Sequence, residues 1–391
     1  MADEIALNPE KFKIGIVVIL GEIPEVGGLL GGMVELLWPE KKEEDPWTLI
    51  RERTEQLIQQ QINEGVRNRV NAALAGLKQA TEGYGKATKD NPQPGRIYSN
   101  YAALRTVFDD QMPVFQEASS ELLLLPMFVQ AANLQFSLLR DAVQFGASKM
   151  KMPAAEVNDT KAKLLKLIDD YTKYVDDTFE KGRKRKFVDE DRRDPFVFWM
   201  TLNVVDYVQL WPYFDPARQI PKSLPLDREI FSNYFGPWNR WPQSPLLPGE
   251  YLQPQNAHVT RVRLGRRQPS MEVLENIRVF YDGNAGPRMG GFAGAPNSYL
   301  YRDVDMTDKN LGELTAIGVS SSPVDGVRDM SFSFGTRGEG GFLVPDGHYL
   351  SSIYAVSRFQ DVPRGLLCND LLRTVWFGFR YKPDALGKKA G

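Results

Sequence analysis

Between Glu121 and Arg140 lie 18 residues without a charge, in the stretch ELLLLPMFVQAANLQFSLLRDAVQFGASKM that runs from Glu121 to Met150. As an α-helix those 18 would span roughly 27 Å, close to the ~30 Å of a bilayer's hydrocarbon core. The run is not uniformly apolar: Gln130, Asn133, Gln135 and Ser137 interrupt it with groups that need partners. A permanent transmembrane helix rarely carries so many amides in its middle. A helix buried in a water-soluble bundle can, because its neighbours supply hydrogen bonds. The stretch therefore suits the central helix of a soluble bundle, one whose length would also allow it to enter a membrane. The more ordinary meaning of such a run is the middle of a helical domain.

Other periodic segments surround it. Ile14 to Trp38 is apolar and glycine-rich, with Pro24 and the pairs Gly27-Gly28 and Gly31-Gly32 read as breaks between two short helices. Asp45-Pro46 offers an N-cap and a first-turn proline. From Trp47 to about Thr81, Leu57, Ile58, Ile62, Val66, Val70, Ala73, Leu74 and Leu77 repeat at helical spacing, which predicts one continuous helix. Asn91 to Gly95 breaks the pattern, and a helix is expected from about Asn100 to Ala118. Asn158-Asp159-Thr160 is read as the cap of the next helix, with Leu164, Leu165, Ile168, Tyr171, Val175 and Phe179 on its stripe. Asp194-Pro195 starts a last apolar helix that Pro212 stops.

Beyond about residue 255 the composition turns β-like. IRVFY, LTAIGV, DMSFSFG, YLSSIYAV and TVWFGFRY alternate, and Asp282-Gly283, Asp325-Gly326 and Asp346-Gly347 separate them as turns. Bulk properties exclude several classes. A net charge of −2 gives no reason to expect nucleic acid as a partner. The single Cys368 cannot form an intrachain disulfide, and two histidines, His258 and His348, leave no Cys/His metal cluster. There is no nucleophile elbow, Walker loop or HExxH, so the chain is expected not to be an enzyme and to need no cofactor or metal. The N-terminus begins Met-Ala-Asp-Glu, acidic where a secretory signal is basic, so synthesis in a cytosol is expected.

FVQAANLQFSLLRDAVQFG, Phe128 to Gly146, resembles the central helix of the first domain of the three-domain Cry insecticidal δ-endotoxins. EQLIQQQINEGVRNRVNAALAGL, Glu55 to Leu77, resembles the third helix of that bundle, and Thr201 to Phe231 resembles the segment that closes it, with Asp206 and Arg228 at matching charged positions. The β-like region resembles, more weakly, the β-prism of jacalin-type lectins and of the second Cry domain. The resemblance implies an α+β multidomain chain: an N-terminal seven-helix bundle with a buried central helix over residues 1–250, then an all-β β-prism domain over 255–391. A full three-domain toxin would continue into a jelly-roll, for which 391 residues leave no room, so receptor choice is expected to fall on the β-prism.

The function implied is a pore-forming insecticidal-type toxin acting outside the producing cell. It would bind a receptor glycan or glycoprotein on gut epithelial cells, insert a helical hairpin into membrane lipid and self-associate into an oligomeric pore. The alternative is a lectin-like carbohydrate-binding protein on a helical scaffold, without a pore. In the first reading Phe128, Gln130, Asn133, Leu134, Phe136, Leu138 and Leu139 belong to the inserting helix, and Asp109 and Asp110 face the lumen. Arg183, Lys184, Arg185 and Lys186 form a candidate protease site, and Asn284, Arg288, Asp325 and Arg328 are candidate receptor contacts on hairpin loops.

Overall fold

The computed structural model describes residues 16, 25–39, 45–185, 193–219, 226, 228–233, 235–236, 258–267, 273–290, 299–308, 310–322, 326–335, 341–357 and 372–382. Lys186, Asp325, Cys368, most of the stretch read as a loop before residue 256 and the expected first of the two N-terminal helices lie outside them, apart from the helical Ile16. The described residues from Ile16 to Leu226 make one compact unit, and those from Arg228 to Lys382 make a second. This division falls earlier in the chain than the boundary near residue 250 expected from the sequence.

The first unit contains seven helices among its described residues: α1 (Gly28–Leu37), α2 (Pro46–Ile58), α3 (Glu64–Lys89), α4 (Pro94–Gln111), α5 (Glu121–Phe145), α6 (Ala154–Lys184) and α7, which begins as Arg193–Met200. A π-turn at Thr201–Val205 carries α7 on into Asp206–Val208, and a second, Gly146–Met150, ends α5. The side chain of Asp45 caps α2, accepting from the Thr48 amide at 3.2 Å, with Pro46 at the first position.

Four local expectations are corrected. The helix expected from Trp47 to Thr81 is two helices. Gln59 turns left-handed at φ 54°, the Glu55 carboxylate takes the Ile62 amide at 2.9 Å, and Asn63 caps α3 through the Val66 amide at 2.9 Å. The stripe nonetheless stays buried on both sides of the break. Gly28, Gly31 and Gly32 lie inside α1 rather than breaking it. Only Gly27 is left-handed, at φ 82°, where it caps the helix. The helices after the two proline-containing breaks start early, α4 at Pro94 and α6 at Ala154, because proline fits the start of a helix and not its interior. Leu165, expected on the buried stripe of α6, is 37% exposed.

The second unit is three antiparallel sheets, ordered β1-β10-β9, β4-β3-β2-β5 and β7-β6-β8. The strands are β1 (Glu229–Phe231), β2 (Val259–Arg267), β3 (Asn276–Tyr281), β4 (Asn284–Gly290), β5 (Tyr299–Asp305), β6 (Leu314–Ser322), β7 (Gly326–Phe334), β8 (Phe342–Leu343), β9 (His348–Ser357) and β10 (Leu372–Tyr381). All five alternating runs seen in the sequence are strands, and their inward residues (Ile277, Ile317, Met330, Ile353 and Phe377) are buried. Leu274 ties the sheets together through its backbone: its amide donates to Val327 of β7 and its carbonyl accepts from Leu372 of β10. Asp282-Gly283 is the two-residue turn of the β3-β4 hairpin, with both φ angles positive (47° and 83°), as the Asp-Gly pair predicts.

Candidate functional site

The central helix is the candidate site. Its 18-residue apolar window is 94% buried, and α5 packs on α1, α2, α4, α6 and the π-turn of α7. It also meets α3, whose Tyr84 hydroxyl reaches Asp141. Every residue assigned to the inserting helix from sequence is buried here: Phe128, Gln130, Asn133, Leu134, Phe136, Leu138 and Leu139 are each at most 1% exposed.

The amides that made this segment unusual are all answered by neighbours. Asn133 accepts from the Trp211 indole N–H at 2.7 Å and donates to Gln130 Oε1 at 3.2 Å. Gln135 accepts from the Tyr171 hydroxyl at 3.0 Å and reaches Asp109 Oδ1 at 3.5 Å. Ser137 donates to its own helix, to the Asn133 carbonyl at 2.7 Å, with Met33 Sδ at 2.9 Å. A buried polar group is tolerated only when paired, and these pairings reach α1, α4, α6 and the turn after α7. Asn133→Leu should therefore cost about 1–3 kcal/mol by stranding the Trp211 N–H. Adding Trp211→Phe should return part of that loss, and a double-mutant cycle by urea denaturation measures the coupling.

Two charges end the uncharged run, and they point different ways because adjacent helical residues do not share a face. Arg140 donates through Nη1 to the carbonyls of Tyr213 and Phe214 at 3.1 and 3.2 Å, closing off the turn that follows α7. Asp141, 1% exposed, accepts from the Gly27 amide at 2.7 Å and the Tyr84 hydroxyl at 3.2 Å. Burial pushes its pKa up to about 7, against the pull of Gly27, Tyr84 and Arg140 towards ionisation. The same burial raises the Tyr84 pKa well above the ordinary tyrosine value. Asp141 thus pins the cap of α1 and the body of α3 to the central helix. Sequence reading passed over it, although it lies three and four residues after Leu138 and Ser137, on a face that had to be buried.

The remaining predicted residues are placed as follows. Asp109 is exposed but ion-paired, with Lys163 of α6 at 2.6 Å, and Asp110 is exposed. Arg183, Lys184 and Arg185 lie at the exposed end of α6, where Glu180 holds Arg183 at 3.0 Å and Lys184 at 3.7 Å. Asn284 and Arg288, expected on a hairpin loop, belong to strand β4, because the turn is made by the two residues before Asn284. Arg328 is likewise a strand residue, exposed on β7.

With this geometry in view, the family model for the delta endotoxin N-terminal domain matches residues 15–215, just over half of the chain. The chain belongs to the delta endotoxin family. Pesticidal crystal protein Cry1Bb of Bacillus thuringiensis is 33% identical over 219 residues, which cover 53% of this chain and 18% of that one. The chain thus matches about a fifth of the length of that relative. Among solved structures, a Cry1Da tryptic core variant from Bacillus thuringiensis superposes with a TM-score of 0.73 at 20% identity, covering 99% of this chain and 75% of that one. PirB superposes with a TM-score of 0.71 at 14% identity, covering 97% of this chain and 96% of that one. These superpositions show the delta endotoxin fold in both units, a helical bundle followed by antiparallel sheets.

Proposed function

We propose that this chain is a pore-forming toxin of the insecticidal type. In this reading the β unit binds a receptor on gut epithelial cells, α4 and α5 enter the membrane as a hairpin, and several copies associate into the pore. The observation that carries it is α5: long enough to span a bilayer, buried on all sides, and carrying amides whose partners all belong to other parts of the bundle or to its own turn. In water the other six helices bury its apolar surface. In a bilayer lipid can do the same, and a second copy of the hairpin can satisfy Asn133 and Gln135. The exchange needs a trigger, because only differential affinity shifts such an equilibrium. Receptor binding and cleavage near Arg183–Arg185 both fit that role. Opening also breaks the exposed Asp109–Lys163 pair, a cost of about 0–1 kcal/mol, which frees Asp109 for a lumen-facing position.

The test is dye release from liposomes of gut-tissue lipid extract, before and after trypsin treatment. Release should rise with dose and fall to background for Leu138→Asp, with folding verified by circular dichroism. If that variant does not fold, Asn133→Asp, next to the Trp211 donor, takes its place. Absence of release from receptor-bearing membranes at every pH and protease treatment would overturn the pore and favour a carbohydrate-binding protein without one.

A further inference from the structure

Strand β2, VTRVRLGRR, alternates arginine with aliphatic residues. Val262 and Leu264 point into the unit and are at most 2% exposed, while the side chains of Arg261 and Arg263 point out at 40% and 34% exposure. The antiparallel register then places Asp303 of β5, Arg263 of β2, Arg278 of β3 and Arg288 of β4 in one row across the whole sheet. Adjacent strands are about 4.8 Å apart, and like charges directly opposite one another are destabilising. Arg263 and Arg278 thus stand directly opposite one another, with one carboxylate at the end of the row.

That carboxylate is already engaged. Arg263 holds Asp303 in a two-point fork at 2.6 and 2.7 Å, and Arg261 reaches it at 3.6 Å. Asp305, beside Arg261, accepts from the amide and hydroxyl of Thr307 at 2.8 and 2.7 Å. Arg278 donates Nε to the Gly286 carbonyl at 3.3 Å, and among the described residues no carboxylate pairs with it. The three guanidinium groups gather around one ring: Arg261 lies 3.8 Å from the Phe280 centroid, and Arg263 and Arg278 each lie 5.6 Å from it. Phe280 is only 7% exposed on the outward face, where the Arg261 guanidinium lies over its ring. Tyr301, 41% exposed, presents its ring 5.6 Å from Arg263.

We infer that this sheet face binds a sulfated glycan, with Arg261 and Arg278 gripping sulfate oxygens beside the Arg263–Asp303 fork and Tyr301 offering its face to a sugar ring. Guanidinium forks held by an aromatic ring and by the strand register are pre-organised for tetrahedral oxyanions. A polymer with repeated anions relieves the like-charge row in a way that a single bound ion does not. A lipid surface would call for apolar side chains reaching below the headgroups, and here the outward ring of Phe280 lies under the Arg261 guanidinium. The inference names the chemistry of the surface ligand in the proposed function, and its test is independent of pore formation.

The experiment is titration of the full chain with a size-defined heparin oligosaccharide at low ionic strength, beside the same oligosaccharide after desulfation. The sulfated form should bind, weakening steeply with salt, and the desulfated form should not. Arg261→Gln with Arg278→Gln should lower affinity at least about tenfold. Asp303→Asn should raise it, because it frees the Arg263 fork, and a folding defect does not produce that gain. If the double variant does not fold, Arg278→Gln and Asp303→Asn should still move affinity in opposite directions. Absence of binding, equal binding of the desulfated chain, or a loss on Asp303→Asn would overturn the inference. Equal competition by phosphatidylserine vesicles would overturn it in favour of a headgroup surface. Failure here with dye release intact removes this inference alone, and binding here without release removes only the pore.

Discussion

Phe136→Ala should destabilise the helical unit by about 3–5 kcal/mol, the range for emptying a fully buried aromatic site. Phe136 is 0% exposed, and its ring is enclosed by three others. The Trp211 ring meets it nearly edge-on at 5.2 Å, and Phe214 and Tyr171 lie at 5.7 Å. These contacts come from α6 and from the turn after α7, so the substitution loosens two sides of the central helix at once. The neighbours that would have to collapse into the gap are themselves tied by hydrogen bonds, Trp211 to Asn133 and Tyr171 to Gln135. Relaxation is therefore limited and the cost should fall in the upper part of the range. Urea denaturation followed by far-UV circular dichroism reads the helical transition. Leu165→Ala, at a residue 37% exposed, should shift the same midpoint by less than about 1 kcal/mol. Equal shifts for the two variants would show that the ring cluster does not organise the bundle.

The second large effect is a dependence on pH centred on Asp141. The folded-state pKa is raised from 3.8 to about 7 by burial. Between those values the folded chain keeps a proton that the unfolded chain has released. The contribution of this group to stability is therefore greatest below about pH 4, falls as pH rises to about 7 and is flat above that. About three pKa units correspond to on the order of 4 kcal/mol across the window. Asp141→Asn removes the titration while its carbonyl can still accept from Gly27 and Tyr84. The stability difference between variant and wild type should therefore rise across this window and favour the variant at pH 8. Taking the difference cancels other groups such as Asp176, whose pKa is also raised by burial. Urea midpoints at four or more pH values measure it, and parallel profiles for the two proteins would contradict the assignment. Ionisation above pH 7 places a charge in the buried space between α1, α3 and α5, where the desolvation cost outweighs the stronger hydrogen bonds from Gly27 and Tyr84, so alkaline conditions should make the central helix easier to release.

The amino-acid sequence by itself determined which segments are helices and which are strands wherever apolar periodicity was strong. The stripe from Leu57 to Leu77, the uncharged run before Arg140 and the five alternating β runs are each buried as their spacing demands. Periodicity is a local property and records which face meets the core, so it survives even across the break at Gln59 to Asn63 that it failed to show. That break is set by cap hydrogen bonds from Glu55 and Asn63, which compete with the helix over single residues. Strand β2 escaped notice because its outward positions are arginines and its polarity resembles that of a loop. Only strand pairing reveals that Arg263, Arg278 and Arg288 share a row. The tertiary structure likewise decided who answers the buried polar groups. Asn133 meets Trp211 from 78 residues away and Asp141 meets Gly27 from 114 residues away. A sequence shows that a buried amide or carboxylate needs a partner, but the identity of that partner depends on which helices pack together, and no local pattern encodes it.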